Sequence, residues 1–241
     1  MARHRPKLVS FSGIDGAGKS TQIRALESYL SAHGFRTRNL TFWDDIVLFS
    51  RFREFMSEKA FKGDKGVGSP ERPIERRDKN VSTWYALAGR LCFYLADALS
   101  LRTVAAATSR RAADVVIFDR FIYDEIANLP LGRWEMRAFA KLLLAIGPKP
   151  DVAYVIDADP DAAYRRKPEY PLEFLRRNRD AYLILSHLIP ELTVISPGSQ
   201  EQMTAQVIAS AWEKVGGDAS PRFEAELHSA RTQENTRAPV V

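Results

Sequence analysis

The run "KLVSFS" (7–12) leads straight into "GIDGAGKST" (13–21). Few local structures satisfy both stretches. The apolar run predicts a buried strand. The glycines after it permit a tight loop through backbone conformations that other residues avoid. The following "STQIRALESYLSAHG" sets Ile23, Leu26 and Leu30 at helical spacing and closes on Gly34, so a helix leaves the loop. Strand, tight loop and helix in that order begin a parallel sheet.

Four more short apolar runs repeat the theme: "RTRNLTF" (36–42), "DVVIFD" (114–119), "DVAYVID" (151–157) and "LTVIS" (192–196). Helical patterns separate them, among them the long apolar "VSTWYALAGRLCFYLADALSLRTVAAATSRR", then "EFLRRNRDAYLILSHL" and "SQEQMTAQVIASAWEKVGG". Alternation of this kind predicts an α/β fold of three layers, α/β/α, with a five-stranded parallel sheet. The 241 residues suffice for one such domain, expected over 1–215. From Gly216 the periodicity is lost, and 216–241 reads as a flexible C-terminal tail. Residues 59–80 form a polar, basic interruption, read as a surface loop or as a flap over substrate.

The N-terminal "MARHRPKLVSFSG" shows no signal peptide, and no membrane span is evident, so the cytoplasm is the expected location. Cys92, the one cysteine, has no partner for an internal disulfide. Its surroundings, "LCFYLA", read as those of a buried small residue. A net charge of +5 favours anionic partners, nucleotides and nucleic acid alike. No recognisable nucleic-acid module accompanies that charge, so nucleic acid is not the expected partner.

Gly13, four residues, then Gly18, Lys19 and Ser20 is the spacing of a phosphate-cradling P-loop, here with the required strand before and helix after. Gly13, Gly16, Ala17, Gly18, Lys19, Ser20 and Thr21 would hold a nucleoside triphosphate. Lys19 would bridge its β- and γ-phosphates, and Ser20 would ligate Mg²⁺. "VVIFDR" ends a strand in Asp119, the expected place for a carboxylate near the same Mg²⁺. Motor-type ATPases usually follow that acid with a second one, to position water. Here Arg120 follows, which suits a second anionic substrate or stabilisation of transferred charge.

Taken together, "FSGIDGAGKSTQ", "FDRF" and "FLRRNRDAYLIL" resemble the thymidylate kinase family of P-loop kinases, over about residues 7–215. The features that carry the resemblance are Asp15 inside the loop, the triplet Asp119, Arg120, Phe121, and the spacing Phe174, Arg177, Arg179, Tyr182. The resemblance implies ATP as donor and a nucleoside monophosphate as small-molecule acceptor, in a homodimer. It implies that Asp15 approaches the acceptor sugar and that Arg120 and Phe121 belong to the acceptor site, Arg120 holding the phosphate. It implies a lid at about 164–180 closing over ATP. The loop carries no arginine between Ile14 and Ala17, so the cation on the transferring phosphoryl group must come from Arg165, Arg166, Arg177 or Arg179. "SPGSQEQ" (196–202), with Pro197 and Gly198, falls where the family places a loop against adenine.

Two places depart from the family. Its long helix carries an aromatic that stacks on the acceptor base and, four residues on, an arginine that reads it. The corresponding positions here are Tyr94 and Ala98, with Arg102 one turn further along. Tyr94 also reads as plain core. At the end of the second strand the family has a basic residue, whereas this chain reads Trp43, Asp44, Asp45. Two carboxylates would repel a phosphate monoester but could take a proton from a hydroxyl. They read equally as a helix N-cap pair. Three functions are therefore weighed. The first is an ATP-dependent monophosphate kinase. The second is a kinase for a nucleoside or other small hydroxyl compound, with Asp44 or Asp45 as base. The third is a nucleotide-binding regulatory or nucleic-acid-binding protein.

Overall fold

Strand β1 (Lys7–Ser12) occupies the middle of the sheet and is buried except at its first residue. The computed structural model describes residues 5–46, 84–108 and 113–216, and within these the chain alternates strands and helices. Helix α1 (Lys19–Ala32) is followed by β2 (Thr37–Thr41) and a π-helical turn, Phe42–Ile46. The long helix α2 (Trp84–Thr108) precedes β3 (Val115–Asp119), and a short α3 (Ile122–Ile126) and α4 (Trp134–Ile146) follow it. Strand β4 (Val152–Ile156), helices α5 (Pro160–Arg166) and α6 (Leu172–Leu188), β5 (Leu192–Ile195) and α7 (Gln200–Val215) complete the described chain.

The strands lie in the order β2-β3-β1-β4-β5, all parallel. All five strands expected from the sequence are present, with ends within one residue of the expected ones. Right-handed crossovers then assign the layers. The connection from β1 outward to β2 puts α1 on one face. Every later connection runs the other way and puts its helices on the opposite face. Contacts agree: α1 packs against α7, and α2 packs against α4. The expected three-layer α/β/α fold is the fold observed.

Because every strand points the same way, all five C-terminal ends share one edge. The register aligns Phe11 and Thr41 with Asp119, which sets the P-loop, the end of β3 and the end of β2 side by side. This edge, where connections leave in opposite directions, is where open α/β sheets bind ligands.

Helix α2 corrects one expectation. Tyr94, Ala98, Leu101 and Ala105 are its inward row, at i, i+4, i+7 and i+11. Cys92 precedes Tyr94 by two residues, about 200° around the helix, and is exposed rather than buried. The helix is apolar on most of its circumference, so periodicity alone could not say which side faces in. Its segment Ala88–Thr108 is long and apolar enough to cross a membrane by length and composition. Its packing against α4 and its buried row make it a core helix of this domain. The polar segment 59–80 lies outside the described residues. So does the tail beyond Gly216, which itself ends α7.

Candidate active site

The P-loop is built by backbone conformation first. Gly13, Gly16 and Gly18 all have positive φ, at 136°, 80° and 96°. Space forbids a side chain at two of them as well. A Cβ on Gly13 would stand 2.5 Å from the Ile156 carbonyl oxygen, and one on Gly16 would stand 2.4 Å from that of Ala163. The loop therefore packs directly on the end of β4 and on α5. Ala17 is buried, and its N–H closes a turn on Ile14 O at 3.2 Å. Gly18 O starts α1 by accepting from the N–H groups of Thr21 and Gln22.

Lys19 lies inside this loop, 7% exposed. Its Nζ donates to the carbonyls of Gly13 and Ile14, each at 2.9 Å. Burial, and then the charge of Arg120, lower its pKa to about 8, while Asp15, Asp124 and Asp119 act the other way. Ser20, by contrast, is exposed on the first turn of α1. Asp119 ends β3 half-buried.

Arg120 holds the centre of the site. Its φ of 70° is the one positive value outside glycine among the described residues. Such a backbone costs an L-residue about 1–2 kcal/mol. Its N–H is fixed to Phe11 O at 2.9 Å. The guanidinium donates through Nη1 to Asp124 Oδ1 at 2.9 Å and through Nη2 to Asp15 Oδ1. Burial alone would lower its pKa, but Asp124 and Asp15 outweigh that and raise it. Phe121 is fully buried at the start of α3.

Asp124 was not legible as a site residue, yet it gathers more of the site than any expected one. It is buried and accepts four hydrogen bonds: Ser12 Oγ at 2.6 Å, Arg120 Nη1 at 2.9 Å, the Phe121 N–H at 3.1 Å and the Tyr182 hydroxyl at 2.8 Å. It thereby ties the end of β1, the β3–α3 turn and α6 together. The signal in the sequence was its place four residues after Arg120, one turn along a short helix. Burial raises the Tyr182 pKa well above its ordinary value, and Asp124 reinforces this.

A cleft opens beside these groups. Asp15, Trp43, Arg120, Asn128, Asn178 and Tyr182 line it, together with Asp124 beneath and the ring pair Tyr170 and Phe174. Trp43 packs edge-on against Phe42 at 5.5 Å. Asp44 and Asp45 are exposed, and neither lines the cleft. Asp45 lies inside the π-helical turn and reaches back to accept the Thr41 N–H at 2.7 Å, so it does not cap a helix from ahead as an N-cap residue would.

The long-helix positions do not come to the cleft. Tyr94 and Ala98 are buried in the core. Arg102 turns away and donates to Ile146 O at 3.2 Å, at the C-terminus of α4. Arg179 forks onto Asp157 at 2.6 and 2.8 Å, fixing α6 to the residue after β4. Arg165, Arg166 and Arg177 are exposed near the α5–α6 connection. Pro197 and Gly198 are exposed in the loop before α7, whose Ser199–Gln202 capping box fixes the helix start.

Ser20 and Asp119 are hard oxygen donors. Among the described residues no group of three or more carboxylate, histidine or cysteine side chains forms a metal cage. One or two oxygen ligands beside a phosphate cradle is the donor set that suits Mg²⁺, which takes the rest of its shell from phosphate and water.

The chain is similar to curated thymidylate kinases over most of its length. It is 27% identical over 208 residues to the thymidylate kinase of Thermoanaerobacter sp. (strain X514), a match covering 82% of this chain and 92% of that one. It is 27% identical over 217 residues to the thymidylate kinase of Dinoroseobacter shibae, covering 84% and 95%. It is 29% identical over 182 residues to a probable thymidylate kinase of Methanopyrus kandleri, covering 74% and 73%. Among solved structures, the thymidylate kinase of Ehrlichia chaffeensis superposes with a TM-score of 0.56 at 23% identity, covering 86% of this chain and 99% of that one. No protein-family model matches the chain.

Proposed function

We propose that this chain, a relative of the thymidylate kinases in sequence and in fold, transfers the γ-phosphoryl group of ATP to a nucleoside monophosphate. The observation that carries the reading is the pairing of a complete P-loop with Arg120. One cradle suits a triphosphate, and beside it a fixed guanidinium faces a separate cleft. Thymidylate is the acceptor to try first, since the relatives are named for it.

Phosphoryl transfer asks a protein for positioning and charge neutralisation more than for covalent chemistry. The loop between Gly13 and Gly18 and the N-terminus of α1 would receive the donor phosphates. Lys19 moves from the loop carbonyls onto phosphate oxygens, where the negative charge favours its protonated form. Ser20 and Asp119 would hold Mg²⁺, which when bound neutralises charge on the phosphates. Arg165, Arg166 and Arg177 reach the transferring group when the 164–180 lid closes over the donor. Pro197 and Gly198 border the adenine.

On the acceptor side, an incoming phosphate takes the place of Asp15 on Arg120. Asp15 is then released toward the sugar, while Asp124 keeps the other edge of the guanidinium. One observation favours a second reading. Two carboxylates already flank Arg120, and a carboxylate serves a hydroxyl acceptor better than a phosphate. A nucleoside is therefore the alternative acceptor. The cytoplasm suits the lone cysteine. A homodimer through α2 suits the exposed Cys92 and Leu99 on its outer side.

The test is ADP release from Mg-ATP with nucleosides and monophosphates supplied separately. Release that depends on a monophosphate supports the first reading. Release that depends on a nucleoside supports the second.

A further inference from the structure

We propose that helix α6, and not the long helix α2, reads the acceptor's base, and that Asn178 is the residue that does it. This rests on the monophosphate kinase reading above.

Phe174, Asn178 and Tyr182 stand four residues apart on α6, hence on one face, and all three line the cleft. Tyr182 gives the row its polarity. Its hydroxyl meets Asp124 Oδ1, the same oxygen that receives Arg120. The inner end of the row is therefore the phosphate end. Four residues of helix advance about 6 Å, so Asn178 stands one such step outward and Phe174 two, about 12 Å in all. A nucleoside monophosphate anchored at Arg120 lays its base along that interval. The outer end is aromatic: the Tyr170 and Phe174 rings pair at 5.3 Å, and Trp43 contributes from the end of β2.

Between these ends of the α6 row sits the Asn178 carboxamide; the cleft's other carboxamide, Asn128, already donates to Asp124 O at 2.7 Å. The Asn178 side chain is half-buried, and among the described residues it has no hydrogen-bond partner. An amide offers a donor and an acceptor side by side. The imide edge of thymine or uracil offers an N–H beside a carbonyl, which an amide meets with two hydrogen bonds. Meanwhile the long-helix positions are occupied elsewhere, Tyr94 and Ala98 in the core and Arg102 on Ile146 O. A site built to hydrogen-bond its substrate rejects an analogue lacking that group strongly, because its own polar atoms are then left unpaired.

The experiment compares thymidylate with its N3-methyl analogue, which lacks the imide N–H, in the native protein and in Asn178→Ala. The native protein is expected to favour thymidylate in kcat/KM by thirtyfold or more. In Asn178→Ala that ratio is expected to fall at least tenfold. Loss of folded protein lowers both substrates alike and leaves the ratio unmoved. A ratio that changes less than tenfold overturns the assignment while leaving the kinase reading standing. Failure of the native protein to phosphorylate any monophosphate removes the kinase reading itself.

Discussion

The Tyr182 hydroxyl and Arg120 Nη1 converge on the same carboxylate oxygen, Asp124 Oδ1, at 2.8 and 2.9 Å. Helix α6 and the end of β3 are thus held by one buried acid. A change in the position of α6 is felt at Arg120, and the reverse.

Replacing Asp124 by asparagine keeps its shape and removes its charge. It also sets an amide donor either against the Ser12 hydroxyl and the Phe121 N–H, which both donate to Oδ2, or against Arg120 Nη1 and the Tyr182 hydroxyl, which both donate to Oδ1. Asp124→Asn is expected to cost about 1–3 kcal/mol of stability. It is also expected to lower kcat/KM for the acceptor about 10–100-fold, with the KM for ATP changed only a few-fold. Denaturant melts and steady-state kinetics with each substrate varied in turn check this. An equal loss on both substrates would point to general damage instead.

Lys19 is the cation inside the loop. Lys19→Ala is expected to reduce transfer at least ~100-fold, the scale seen when one preorganised charge partner is removed. ADP release at saturating ATP and acceptor measures it. Turnover equal to that of the native protein would mean that the loop does not grip the transferred group.

The contact between the P-loop and α5 has no room for a methyl group. Gly16→Ala places a Cβ 2.4 Å from Ala163 O at a positive φ. The expected cost is about 2–5 kcal/mol, from backbone strain and overpacking together. Thermal unfolding reads this, with Gly34→Ala as comparison: Gly34 has φ 84° but nothing within 4 Å of the added Cβ, so it should lose the strain contribution alone.

Tyr154 gives a pH dependence. Burial pushes its hydroxyl up to about 12, against the opposing hydrogen bond to Ser210. The folded protein therefore keeps a proton that the unfolded chain loses at about 10. The stability this contributes is complete below pH 10 and disappears as pH rises through 12. It amounts to about 2–3 kcal/mol. Denaturant midpoints between pH 9 and 12 should fall less steeply in Tyr154→Phe than in the native protein.

The inner strands β3, β1 and β4 were legible because they are buried on both faces and so read as apolar runs. The P-loop was legible because its glycines and Lys19 answer a backbone requirement at fixed spacing. Helix α4 lies outside the helical patterns named in the sequence, although its buried Met136, Ala140 and Leu143 keep helical spacing. The acceptor side was less legible for a different reason. Trp43, the pair Asp124 and Asn128, and Asn178 come from three separate segments, and only the topology brings them to one cleft. The family resemblance placed Tyr94, Ala98 and Arg102 there, and a helix that is apolar on most sides does not show which residues face the core.

The most direct measurement follows the label from γ-³²P-ATP in the presence of Mg²⁺ and thymidylate. The expected result is label in the nucleoside diphosphate, formed one for one with ADP, and at least ~100-fold less of it when Lys19 is alanine. Label that remains in ATP or leaves as free phosphate, or that enters a nucleoside when one is supplied in place of thymidylate, would contradict a P-loop donor site facing a monophosphate held at Arg120.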